Sequence, residues 1–192
     1  MSTTEKTRTS RNTGVKTMIL IFLLIVGIGI IVLLKAKDDS MSLTGQTRLG
    51  KGAKAPDFTL PGLDGKMVRL ADQKGKVVFL NIWATWCPPC VDEMPSMEKL
   101  HQQLKGEEFK ILAVSIDKNG AEAVLPFMKK HNLSFTALID SKESLKYKYQ
   151  TTGVPETFII DRNGVIVEKV IGPRDWAAPD VIGYFRNLVQ RN

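Results

Sequence analysis

The sequence predicts an α/β domain, a mostly parallel sheet with helices on both faces, preceded by one transmembrane helix. Three observations carry this. Apolar strand-like runs alternate with helix-spaced segments from Val77 to the C-terminus. The two cysteines, Cys87 and Cys90, fall where such a run gives way to helical spacing. Met18 to Leu34 is apolar without interruption.

A chain of 192 residues has room for one domain and an appendage. Its composition is ordinary for a globular protein. The net charge of +7 raises the question of a nucleic-acid partner, but its distribution argues against one. From Lys51 onward 20 Lys+Arg face 17 Asp+Glu, so most of the excess lies in the first fifty residues. Two cysteines cannot build a multi-disulfide framework, and one C-x-x-C supplies half of a four-ligand zinc site. His101 and His131 sit in helical-looking sequence and read as surface or packing residues. No metal and no dissociable cofactor is expected.

Residues 1–17 form a basic tail with Lys6, Arg8, Arg11 and Lys16 against Glu5. The apolar run 18–34 that follows is near the short limit of ~17–25 residues for a bilayer span. It is longer than a signal-peptide core and lacks a small-residue cleavage pattern, so an uncleaved anchor is expected. Basic residues before it outnumber those after it, which orients the N-terminus inward and the rest outward. Residues 35–54, rich in Ser, Thr, Gly and Lys, read as a linker, and 55–192 as the folded domain.

Within that domain, the segments 55–60 and 66–70 flank Pro61-Gly62-Leu63-Asp64-Gly65 and predict two short strands around a turn. Val77 to Ile82 reads as a central strand buried on both faces. Val91 to Lys105 has helical spacing, with Pro95 as an interior kink. Phe109 to Ile116 is the next strand, Ala121 to His131 a helix interrupted at Pro126, and Phe135 to Ile139 a strand. Glu143 to Tyr149 reads as a helix, with Asp140 and Glu143 as its capping box. Thr157 to Ile160 and Val165 to Val170 surround Asn163-Gly164, a hairpin turn, and Trp176 to Gln190 closes the chain as an amphipathic helix.

The chemistry centres on Trp83-Ala84-Thr85-Trp86-Cys87-Pro88-Pro89-Cys90. The first turn of a helix leaves N–H groups unpaired, and their partial positive charge favours a thiolate. Cys87 is expected at the cap facing solvent, and Cys90 one turn in and more buried. Such a pair suits dithiol–disulfide exchange. Pro88 fits the first helical position. Pro88 and Pro89 together remove two N–H donors, so Cys87 is expected to be only moderately acidified, which favours a reductant.

Trp-Cys-Pro-Pro-Cys, Pro95 and Gly153-Val154-Pro155-Glu156-Thr157-Phe158 together resemble the thioredoxin superfamily, within it the membrane-anchored TlpA/ResA/DsbE-like thiol-disulfide oxidoreductases. The resemblance runs from about Gly52 to Val189. It implies a thioredoxin-like fold with an N-terminal β-hairpin and a helix–strand insert near residues 121–139. It also implies a cis Pro155 against the cysteine pair, with Val154 free to pair with an extended substrate. In ResA-like proteins a glutamate placed as Glu93 is thought to accept the proton of the second cysteine, here Cys90. Thioredoxin has a buried aspartate where this chain has Asn81, a departure that strengthens the case for Glu93.

Trp83 and Trp86 are expected to pack around the motif. Trp86, Pro88, Val154 and Glu156 form the expected substrate-binding set. The implied activity is a reductase of protein disulfides, with apocytochrome c as substrate and a DsbD/CcdA-type membrane donor. The competing readings are a disulfide-donating oxidase, a peroxidase, and a metallochaperone or apocytochrome-holding module.

Overall fold

In a computed structural model of the chain, the described residues are 18, 19, 21, 23–31 and 49–191. They fall into two units, Met1–Gln46 and Thr47–Asn192. In the first unit the described residues are helical and their apolar side chains are mostly exposed, Leu24 at 65%. Among the described residues no helix is long and apolar enough to cross a membrane. Part of the expected span 18–34, all of the basic tail 1–17 and residues 35–48 of the expected linker lie outside the described residues.

The second unit begins with a two-stranded antiparallel sheet, β1 (Thr59–Pro61) and β2 (Met67–Arg69), as the turn signals predict. A five-stranded sheet follows, built from β3 (Val77–Trp83), β4 (Phe109–Ser115), β5 (Thr136–Ile139), β6 (Glu156–Ile160) and β7 (Ile166–Ile171). Its order is β5-β4-β3-β6-β7. The helices are α1 (Pro88–Gln103), α2 (Ala121–Lys130), α3 (Ser144–Lys148) and α4 (Pro179–Gln190).

The sheet is mixed rather than mostly parallel. β3, β4 and β5 run parallel, whereas β6 is antiparallel to β3 and β7 to β6. The tight turn Asp161–Gly164 joins β6 to β7, and strands joined by so short a turn can only pair antiparallel, so one of the two must oppose the parallel strands β3–β5; here it is β6. The expected insert is α2 with β5, which extends the sheet beyond β4.

β3 is buried at every position, so its continuous apolar run is what a strand covered on both faces requires. Phe79 packs edge-on to Trp176 at 4.6 Å and against Phe185 of α4 at 5.9 Å. Pro126 does not interrupt α2. It lies on an exposed face, where water can serve the carbonyl that its missing N–H leaves unpaired.

Residues 49–54 belong to the folded unit despite their linker-like composition. Gly52 N donates to Ile166 O at 2.7 Å, Ile166 N to Ala53 O at 2.9 Å, and Ala55 N to Gly164 O at 2.9 Å. Lys54 also forms an antiparallel bridge to Val165, next to the start of β7.

Candidate active site

β3 delivers the chain to the surface at Trp83, and the loop 84–86 carries it into α1. That loop is held from β4's side: Asp117, buried, accepts from Thr85 N at 2.9 Å, Thr85 Oγ1 at 2.6 Å and Ser115 Oγ at 2.7 Å. Cys87 is the N-cap of α1, with Pro88 and Pro89 in the first two helical positions. Cys87 and Cys90 are joined as a disulfide.

Cys90 N donates to Cys87 Sγ at 3.3 Å. With both prolines lacking an N–H, it is the one first-turn donor recorded on that sulfur. Cys90 is fully buried and Cys87 is 4% exposed, so in the disulfide form Cys87 is far less open than a solvent-facing cap. Its sulfur touches the loop before β6, with Sγ 3.6 Å from Val154 O. A disulfide sulfur has no proton to give, so this is a contact; a reduced thiol at the same place could donate. The Val154–Pro155 peptide bond is cis, as the family resemblance implies.

Glu93 lies one turn beyond Cys90 and is 3% exposed, which disposes of a solvent-facing role. Its Oε1 accepts from Asn81 Nδ2 at 3.0 Å, and its Oε2 from Trp176 Nε1 at 2.8 Å and Arg174 N at 3.4 Å. Burial pushes its carboxyl up from the ordinary glutamate value, against the opposing pull of the Trp176, Asn81 and Arg174 donors.

The remaining expected residues divide. Trp83 is fully buried and packs on Phe127 at 5.1 Å, whereas Trp86 is 64% exposed rather than packed around the motif. Trp86 instead stands free beside Cys87, with Pro88 also exposed and Val154 half-buried. Glu156 is corrected: it is fully buried and cannot meet a partner directly. Its Oε2 accepts from Thr152 N at 2.9 Å, and its Oε1 pairs with Lys169.

Sequence reasoning missed Asp117, Lys169, Arg174 and Trp176. The one available signal was Trp176, since a buried indole N–H needs an acceptor and Glu93 is an unpaired acid in the sequence.

A profile of the AhpC/TSA family matches residues 51–169. The chain is 41% identical over 121 residues to thiol-disulfide oxidoreductase ResA of Bacillus cereus (strain ZK / E33L), spanning 63% of this chain and 69% of that one. The chain belongs to the AhpC/TSA family, in its ResA/DsbE-like thiol-disulfide oxidoreductase group.

ResA of Bacillus subtilis (strain 168) is another relative of this group, 36% identical over 128 residues, 67% of this chain and 71% of that one. A solved Chlorobium tepidum structure, a candidate thiol:disulfide interchange protein DsbE, superposes with a TM-score of 0.64 at 35% identity. That match covers 73% of this chain and 96% of the other. The chain is thus a thiol-disulfide oxidoreductase of ResA/DsbE type, and its two cysteines, Cys87 and Cys90, stand joined as a disulfide at the start of α1.

Proposed function

We propose that this oxidoreductase is a membrane-anchored reductase of protein disulfides, with its folded domain outside the cytoplasm and the haem-site cysteines of apocytochrome c as substrate. The observation that supports the reducing direction is the sparse donor set on Cys87. One N–H at 3.3 Å, with prolines in the next two positions, gives the thiolate little stabilisation. Weak thiolate stabilisation leaves the reduced pair ready to give up its electrons.

The reaction balances within the pair. The Cys87 thiolate attacks one sulfur of the substrate disulfide and releases a substrate thiolate. Cys90, its proton accepted by Glu93, then attacks Cys87 Sγ and releases the second substrate thiol. Two electrons pass to the substrate and the Cys87–Cys90 disulfide remains, to be reduced by a donor of the DsbD/CcdA type. Val154 pairs with the substrate backbone, and exposed Trp86 and Pro88 border the approach. Support for the anchor is the apolar run 18–34 with its basic flank.

The test is the reduction potential of Cys87–Cys90, measured on the full chain in detergent by thiol trapping in defined redox buffers. A value near about −270 mV is expected. A value near about −120 mV would make the chain a disulfide donor instead. Alkaline carbonate extraction of membranes checks the anchor: the chain is expected to stay in the pellet, and its release would remove the membrane part of the reading.

A further inference from the structure

We infer that Lys169 is a positioning residue for polypeptide substrates, clamping through Glu156 the loop that presents Val154 to Cys87. This rests on the reading of Val154 as a substrate-pairing backbone. Lys169 lies on β7 directly opposite Phe158 of β6, two residues along from the Glu156–Ile171 pair. Glu156 and Phe158 share a face of β6, because side chains two apart do. From there the aliphatic stem of Lys169 passes over the Phe158 ring, with Nζ 5.0 Å from its centroid, and the ammonium reaches diagonally to Glu156.

Glu156 is fully buried, while Lys169 retains a 19% exposed side chain. A buried carboxylate is strongly disfavoured unless a cation and hydrogen bonds compensate it. Lys169 supplies the cation. The other carboxylate oxygen accepts Thr152 N at 2.9 Å, and a charge-assisted bond is about twice as strong as a neutral one. Thr152 and Gly153 are exposed, and this bond ties the segment inward between Thr151, whose N donates to Lys146 O at 2.9 Å, and Val154. Gly172 N, donating to Pro155 O at 2.9 Å, fixes the far end. Val154 O is then held 3.6 Å from Cys87 Sγ.

The consequence is selective. A small disulfide needs only the Cys87 sulfur, whereas a polypeptide also needs the Val154 backbone in place. The experiment compares the reduced full-length chain, in detergent, on an insulin disulfide and on 5,5′-dithiobis(2-nitrobenzoate). In single turnovers Lys169→Met is expected to lower the second-order rate constant for insulin about tenfold, mainly through a higher half-saturating insulin concentration, and to leave the small disulfide within about twofold. Lys169→Arg is expected to restore the insulin value.

If Lys169→Met does not fold, the paired variant Glu156→Gln, Lys169→Met strands no buried charge and takes its place. There the amide holds Thr152 N more weakly, and a loss of about threefold on insulin alone is expected. An unchanged ratio between the two substrates, or an equal fall on both, overturns the inference. Amide exchange at Val154 in the Cys90→Ser mixed disulfide with a cystine peptide tests the underlying reading separately. Protection there with an unchanged ratio sinks only the clamp; no protection sinks the pairing itself.

Discussion

Glu93 is a carboxyl group held where charge is disfavoured, and that has a measurable sign. Because burial raises its value in the folded chain, the folded state binds this proton more tightly than the unfolded state. Stability from this group is therefore complete below the ordinary glutamate range and is lost as pH rises through the raised value. Glu93→Gln cannot titrate. Chemical denaturation as a function of pH is expected to show the parent chain losing stability relative to Glu93→Gln across that window; parallel profiles would contradict the assignment. The same variant is expected to slow resolution by Cys90 near neutral pH. A role for Glu93 was legible because Asn81 stands where a proton acceptor is otherwise needed, but its full burial was not. Trp176 was legible only as an indole in need of an acceptor; it lies 83 residues from Glu93, and the packing of the fold brings the two together. Lys169 was hidden for the same reason: a lone strand lysine looks solvated until the register sets it beside a buried acid.

At the scale of elements, helix starts show most clearly how sequence signals became structure. Asp140 and Glu143 were expected to cap α3 reciprocally, but the box does not form: Glu143 is itself the N-cap, without a side-chain cap bond, and Asp140 serves the first helical N–H groups from outside the helix. Asp140 accepts from Ser144 N at 3.0 Å, Ser144 Oγ at 2.8 Å and Leu145 N at 2.7 Å. Glu143 takes a left-handed backbone with φ 55° and pairs with Lys146 instead of reaching back. Asp140→Ala is thus expected to cost about 1–2 kcal/mol in urea unfolding, with Asp140→Asn losing less. Equal stability of Asp140→Ala and the parent would show that the helix is held by packing alone. Strand β3, the turn at Asn163-Gly164 and the start of α1 were all legible, because each is set by neighbours in sequence. The direction of β6 relative to β3 was not: the legible hairpin makes β6 and β7 antiparallel, but nothing local in the run Thr157 to Ile160 says which of the two lies beside β3.

At the scale of the whole molecule, the boundary between appendage and domain is the place where composition misleads. Ser, Thr, Gly and Lys dominate residues 35–54, yet residues 49–54 are bound to the folded unit through backbone groups, which composition does not report. Leu49 N also donates to Gln150 Oε1 at 3.2 Å. These few residues pair with the start of β7, the last strand in the sheet order, at Ile166. A soluble fragment cut at residue 55 would free the N–H and C=O of Ile166 and lengthen the unpaired edge offered to a second molecule. Such a fragment is expected to self-associate in light scattering at concentrations where one starting before Leu49 stays monomeric. Six residues of unremarkable composition would then decide whether the isolated domain is a well-behaved reagent or the seed of an aggregate.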